Sequence, residues 1–443
     1  MARKVFISFL GGSNYGECSY VKDDFKSSPV RYIQEAMLDM YGKSGNWTEN
    51  DIAYILLTKG AESANWNDDG HIDRNTNEPI KRNGLHSQLK LMDLKMQVAP
   101  VKKLPDGNNE SEILEIFQTV YDLLLNEDEL YFDVTHGFRY LPMLSIVLGN
   151  YAKSLKKTKV ISITYGNYEA RDKENNIAQI VDLMTLSALQ DWSSASEAFI
   201  KNGEVNELVG LCNQSLSPIL KAAAGQNEEA TRLRKIIKNL SGIVNDFRTC
   251  RGINIIEAKT IKNLQKELED IQQVVVPTMQ PVLNNIKERF KDYESETSEK
   301  KGFIAAEWCL EHGLAQQAIT IYFENIVTFF CFIFNLDWRT ERERDLVNKA
   351  LNFSLDNTPE DKWSFKEGQD TPENRDMIKR IMTSDSLKEC LIPFGLLRDL
   401  RNDFNHSGMR NNPMSADKLV SRLKLAIEGI NEVLGVFPKS ETD

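Results

Sequence analysis

Near its C-terminus the chain reads Arg398-Asp399-Leu400-Arg401-Asn402-Asp403-Phe404-Asn405-His406-Ser407. One Arg and one His stand five positions apart at the end of an amphipathic run. A guanidinium holds and neutralises a phosphate. An imidazole moves protons near neutral pH. Together they suffice for metal-free cleavage of RNA: a base takes the proton of a ribose 2′-OH, the 2′-oxygen attacks the adjacent phosphorus, and a cation stabilises the charge on the phosphoryl oxygens. Taken alone, such a pair is more often the polar end of a surface helix.

The pair has to be positioned by a helix. Pro393 stands where a helix would start, and Leu397, Leu400 and Phe404 form an i, i+3, i+7 stripe. At helical spacing Arg401 and His406 fall roughly 140° apart, so one straight helix does not bring both onto one phosphate. Either the helix ends before His406, with Gly408 as its C-cap, or two copies of the stretch meet at a symmetric interface. Arg398, Arg401 and Arg410 would make the surroundings locally basic.

The hexad Arg401 to His406 resembles the R-X4-H signature of HEPN ribonucleases, in which the polar residue after the Arg, here Asn402, also belongs to the motif. That resemblance implies a metal-independent endoribonuclease acting on single-stranded RNA and leaving 2′,3′-cyclic phosphate ends. Its catalytic residues would be Arg401, Asn402 and His406, with no metal and no cofactor required.

The N-terminal third alternates strands and helices. Strands are expected at Lys4 to Leu10, Ile52 to Leu57, Met96 to Val101, Glu129 to Asp133, Val160 to Tyr165 and Ile180 to Leu183. Helices are expected from Ser28-Pro29 to about Tyr41, from Glu110 to Leu125 and from Leu141 to Leu155. This order implies a mostly parallel sheet with helices on both faces, and in such sheets ligands sit beyond the carboxyl ends of the strands. The polar and glycine segments fall there: Gly11-Gly12-Ser13-Asn14-Tyr15-Gly16, Thr58-Lys59-Gly60, Thr135-His136-Gly137-Phe138-Arg139, and Tyr165-Gly166. Glycine loops and helix N-termini present N–H groups to phosphate oxygens, so the ligand class is a nucleotide-like anion. No G-x-G-x-x-G and no Walker lysine is present, which argues against an oxidoreductase or an ATPase.

Asp133-Val-Thr-His-Gly137 is the most specific segment of the chain. Local physics alone reads it as a strand-to-helix turn in which Thr135 caps the next helix and Gly137 relaxes the turn. As D-x-T-H-G it resembles the DxTHG group of CRISPR-associated type III accessory proteins. The opening strand with its glycine loop, the terminal Tyr165-Gly166 and the leucine-rich stretch Leu183 to Trp192 resemble that group too. The resemblance implies an N-terminal CARF domain that senses cyclic oligoadenylate, the tetramer above all, across the two-fold axis of a homodimer or higher even-numbered oligomer. Ligand-binding residues would be Gly11, Gly12, Ser13, Asn14, Tyr15, Thr58, Lys59, Thr135, His136, Gly137, Phe138, Arg139, Tyr165 and Gly166.

After about Thr185 the strand signals stop and helical periodicity takes over, with a charged candidate linker from Tyr293 to Lys301. Trp308, Leu310, Leu314, Ala318, Ile321 and Ile326 carry an apolar face that runs into Phe329 to Phe334. The fold class expected is α/β plus all-α: a Rossmann-like sheet over 1–184, a helical linker region over 185–300 and a helical-bundle HEPN-like domain over 301–443. The polar stretch Ala61 to Arg82, with Asp68, Asp69, His71 and Asp73, reads as a solvated loop that would act as a lid at the ligand edge of the sheet rather than as a metal site. His86 and His312 carry no partner pattern.

Composition bounds the rest. A chain of 443 residues with 41% hydrophobic and 27% charged residues is that of an ordinary globular protein with two or three domains. No apolar run is long enough to span a bilayer, and none at the N-terminus resembles a signal peptide. The six cysteines are scattered without C-x-x-C spacing, as in a cytoplasmic protein with reduced thiols. A net charge of −11 argues against a protein that coats long nucleic acid. Two alternatives stand beside the ligand-gated ribonuclease: a non-catalytic cyclic-nucleotide sensor or partner-binding module, and a CARF domain that degrades its own ligand through Ser13, Lys59 or Thr135.

Overall fold

In the computed structural model the described residues are 2–43, 46–73, 76–137, 140–271, 274–295, 297–409 and 411–435. They form two compact units, Met1–Gln190 and Asp191–Asp443. Phe138, Arg139 and Arg410 lie outside the described residues.

The first unit is built on eight strands: β1 (Lys4–Leu10), β2 (Ser19–Lys22), β3 (Phe25–Lys26), β4 (Ile52–Thr58), β5 (Gln97–Leu104), β6 (Glu129–Asp133), β7 (Lys159–Gly166) and β8 (Ile177–Asp182). Their order in the sheet is β3-β2-β8-β7-β6-β1-β4-β5. The pairs from β7 through β5 are all parallel, and β8 runs antiparallel to β7. Strands β1 and β4 lie inside the sheet with apolar residues on both faces, which is why they read as continuous apolar runs. Helices α1 (Ile33–Lys43), α2 (Lys59–Ala61), α3 (Leu85–Leu91), α4 (Glu110–Leu123), α5 (Leu141–Lys156) and the start of α6 (Met184–Asn202) complete the unit. One core, with Phe6, Met37 and Ile55, lies on one face of the sheet; the other, with Ile7, Phe132 and Leu148, lies on the opposite face.

Two expectations need correction here. The chain after Ser28-Pro29 is not helical: Val30 bridges back to Cys18, and α1 begins only at Ile33. The stretch after Ala61 is not a solvated loop at its start, because Glu62–Trp66 winds as one turn of π-helix that buries Asn65 and Trp66.

The second unit is helical. It contains α7 (Asn206–Ala222), α8 (Glu228–Arg248), α9 (Gly252–Glu257), α10 (Lys259–Asp270), α11 (Gln280–Ser295), α12 (Lys301–Glu311), α13 (Ala315–Ile333), α14 (Glu341–Leu355), α15 (Pro372–Thr383), α16 (Asp385–Asn405) and α17 (Ala416–Leu434). One apolar core runs from Trp192 through Phe247, Phe303 and Phe330 to Ile430. Tyr293, the expected start of a charged linker, is buried in that core and donates its hydroxyl to the Lys301 carbonyl at 2.9 Å. Of the apolar run Phe329 to Phe334, Phe330 and Cys331 are wholly buried and Phe329, Phe332 and Phe334 pack against the core, while Ile333 is exposed.

Pro393 does not start a helix. It sits inside α16, which runs unbroken for 21 residues. Its ring packs beside Gly429 of α17, where a side-chain carbon would come within 3.4 Å. Burial of the Leu387, Phe394, Leu397 and Leu400 face outweighs the one missing backbone hydrogen bond.

Candidate functional site

The carboxyl ends of the parallel strands hold two cavities of about 290 and 280 Å³ that share Ser13, Tyr15, Thr135 and His136. The first is also lined by Asn14, Tyr165 and Gly166, the second by Gly11, Gly12, Thr58 and Gly137. Eleven of the residues named from the sequence thus converge on one place. Lys59 lines neither cavity and is exposed.

The D-x-T-H-G segment builds the floor. The Asp133 carboxylate is wholly buried and accepts from the Ser8 hydroxyl at 2.6 Å, the Thr135 hydroxyl at 2.5 Å and the Thr135 amide at 3.0 Å. Burial pushes its pKa up, against the pull of these three donors. The Thr135 hydroxyl in turn accepts from the Gly166 amide at 2.8 Å. Thr135 therefore does not cap the next helix; it ties the end of β6 to the end of β7. Gly137 makes the turn with φ +105°, a conformation that disfavours any side chain.

His136 stacks on Tyr15 with ring centroids 4.0 Å apart. Burial lowers its pKa to about 4, so the imidazole is neutral at pH 7, and among the described residues its Nε2 is shielded from water without a partner. The Tyr15 hydroxyl lies where a side chain on Gly11 would begin, 2.2 Å from the Cβ position, so Gly11 is required for the close approach.

The π-turn acts on the same loop. Asn65 donates to the carbonyls of Gly11 and Ser13, each at 2.8 Å, and its side-chain oxygen lies 3.0 Å from His71 Nε2. Arg82 donates to Asn14 at 2.7 Å. Asp68 and Asp69 accept from Gly84, Ser87, Arg82 and Lys81 within this stretch. Among the lining residues, Arg31 and Tyr168 escaped the sequence reading. Arg31 lines the first cavity and pairs with Glu17 at 2.9 Å; Tyr168 lines it too, beneath the Arg171 guanidinium at 3.9 Å; Gly16 approaches the Tyr168 hydroxyl. Arg31 and Tyr168 carry one legible signal, a cation just before α1 and an aromatic residue just after β7.

In the helical unit, Arg401 lies in the last turns of α16 and His406 is the residue that ends it. The end is a Schellman motif: Ser407 is left-handed with φ 54°, its amide donates to the Phe404 carbonyl at 3.0 Å, and the Gly408 amide donates to the Asp403 carbonyl at 3.0 Å. Gly408, the C-cap expected from the sequence, is left-handed as well with φ 68°, one residue after Ser407. The Arg401 guanidinium lies 4.5 Å over the Phe323 ring and 3.5 Å from the Glu324 carboxylate. Asn402 and His406 are exposed. Arg398 is engaged elsewhere, donating to Asp356 at 3.0 and 3.2 Å and to Asn352 at 3.1 Å. His312 is buried, stacked on Trp308 at 4.1 Å, and His86 stacks on Trp66.

Residues 5–172 match the family model described as the CARF domain of the CRISPR system endoribonuclease Csx1. The CRISPR-associated protein MJ1674 of Methanocaldococcus jannaschii is 24% identical over 237 residues, which cover 52% of this chain and 34% of that protein. The chain therefore spans about a third of the length of this curated relative. Both similarities are to CRISPR-associated proteins, and the matched residues include the strand ends that line the two cavities.

Proposed function

We propose that this protein is an endoribonuclease of type III CRISPR defence, switched on when its N-terminal unit binds cyclic oligoadenylate. The observation that carries the first half is the coincidence of the Csx1 CARF match with the cavities at the carboxyl ends of the strands. Cavities of about 290 and 280 Å³ lie at or below the roughly 300–1,000 Å³ of ordinary ligand pockets, so one chain accommodates part of a ring. Two chains sharing one ring satisfy that geometry. The exposed residues Met143, Val147, Tyr151 and Leu155 form an apolar stripe along α5 that suits such a partnership.

Arg401, Asn402 and His406 carry the second half. His406 takes the 2′-OH proton, the 2′-oxygen bonds to phosphorus, and the bond to the 5′-oxygen breaks. The imidazolium, or His406 of a second copy, returns a proton to that leaving oxygen. Arg401 neutralises the phosphoryl oxygens, and Asn402 orients Arg401 or the phosphate. The products carry a 2′,3′-cyclic phosphate and a 5′-OH, and no metal enters the step. The test is cleavage of a labelled single-stranded RNA in EDTA, with and without cyclic tetra-adenylate, beside His406→Ala. Cutting that needs both the ring and His406 is expected. Cutting without any ring removes the gating; no cutting with any ring size leaves a non-catalytic sensor.

A further inference from the structure

Asn14 is exposed and lines the first cavity of the sheet unit. The backbone around it is fixed, because Asn65 holds the Ser13 carbonyl at 2.8 Å and Arg31 donates to the Tyr15 carbonyl. What remains free is the rotation of the Asn14 amide. Arg82 sets that rotation: its Nη1 donates to Asn14 Oδ1 at 2.7 Å. A guanidinium only donates, so the atom that faces it has to be the amide oxygen. The NH2 half is then turned away from Arg82, and among the described residues nothing accepts from it.

Arg82 is itself held in place. Its amide donates to the Asp69 carboxylate at 2.8 Å, and its carbonyl accepts from the Asp69 amide at 3.0 Å. Its charge is not rewarded by the fold alone. Burial pushes the guanidinium pKa down and Arg31 repels it, against the pull of Tyr32. Among the described residues its Nη2 is shielded from water without a partner, and its one side-chain hydrogen bond is the one to Asn14. A cation partly withdrawn from water for a single neutral acceptor stabilises little by itself. We propose that Arg82 is a positioning residue for the cyclic ligand: it holds the Asn14 amide with its NH2 toward the cavity, where that group donates to an acceptor atom of the ring. This rests on the sensor reading above and gives it a specific bond. The acceptors that a ring of adenylates offers are phosphoryl oxygens and adenine ring nitrogens.

The test is isothermal titration of the full chain with cyclic tetra-adenylate, beside thermal denaturation. Asn14→Asp keeps the shape and goes on accepting from Arg82, but it has no N–H to offer. It is expected to bind the ring about tenfold more weakly than the unaltered chain, with no loss of melting temperature. Arg82→Met removes the donor that orients Asn14 and should weaken binding by about the same factor, whereas Arg82→Lys restores a donor and should stay within about threefold of the unaltered chain. In the Asn14→Ala background Arg82→Met should change affinity less than about twofold, because one residue acts through the other. A ring with sulfur in place of its phosphoryl oxygens locates the acceptor. If the acceptor is a phosphoryl oxygen, sulfur weakens binding to the unaltered chain and not to Asn14→Ala; if it is a ring nitrogen, sulfur affects both alike. Unchanged binding by Asn14→Asp, or losses from Asn14→Ala and Arg82→Met that simply add, overturns the inference. No binding of any ring by the unaltered chain removes the sensor reading and this inference with it.

Discussion

The Thr135 hydroxyl donates to Asp133 at 2.5 Å while accepting from the Gly166 amide at 2.8 Å, so both of its hydrogen-bonding roles are spent inside the protein. The threonine of the motif is therefore a strut between strand ends, and nucleophilic chemistry would first have to break it. Thr135→Val removes the strut while keeping the shape. It leaves a buried carboxylate one donor short and a backbone amide without its acceptor, which costs about 1–3 kcal/mol. Thermal denaturation should show a clear loss, and affinity for cyclic tetra-adenylate should fall with it. An unchanged melting temperature would contradict the strut.

Arg31 and Lys59 make a controlled pair. Arg31 lines the cavity, whereas Lys59 lies outside it although the sequence put it at a strand end. Arg31→Ala should weaken binding of the cyclic ligand about tenfold, the scale of one charge-assisted hydrogen bond. Lys59→Ala should change it less than about twofold. Isothermal titration of both variants decides, and equal effects would move the phosphate path.

Arg401→Ala and His406→Ala should each reduce RNA cleavage by about 100-fold or more. Ligand affinity in the N-terminal unit should be unchanged, because neither side chain belongs to it. Gel-based cleavage beside ligand titration checks both halves, and a double variant that still cuts would place the chemistry elsewhere.

The apolar stripe of α5 predicts its own disruption. Met143 is 70% exposed and Val147 is 53% exposed, so glutamates there leave the folded chain intact. In the assembly proposed here Met143→Glu with Val147→Glu should shift sedimentation from dimer toward monomer and lower ligand-stimulated cleavage. A dimer that persists would assign the association to another surface.

Glu307 gives a pH dependence. Burial raises its pKa from the ordinary carboxylate range to about 7, while Asn431 donates to it at 2.8 Å. Between the ordinary value and about 7 the folded chain holds a proton that the unfolded chain has released. This contribution to stability is complete at low pH and is lost as pH rises through 7. Glu307→Gln stays neutral throughout, so it should be the more stable protein at pH 8, on the order of 1 kcal/mol. Denaturant unfolding at pH 5 and pH 8 checks the sign.

The parallel core was readable in the sequence because strands covered on both faces are written as apolar runs, as in β1 and β6. Strands β2 and β3 were not, since Ser19–Lys22 and Phe25–Lys26 are short and acquire their register from β8 and from each other. Pro393 misled because local rules place proline at a helix start, whereas the packing of α16 against α17 decides at that position. Glycines and Thr135 announced the cavity through the backbone they shape. Arg31 announced itself only as a cation just before α1, and Glu324 not at all, since each acquires its role from residues that the fold brings to it.

The π-turn at Glu62–Trp66 has a kinetic consequence. By holding the Gly11 and Ser13 carbonyls, Asn65 fixes the glycine loop before any ligand arrives. The entropy of ordering that loop is then spent during folding and is absent from the association step. Encounter with a ring should accordingly run close to the rate set by diffusion and charge, with little lag from loop closure. The lifetime of the signal would be governed by dissociation, and loosening Asn65 would slow the arrival of the ring more than it hastens its departure.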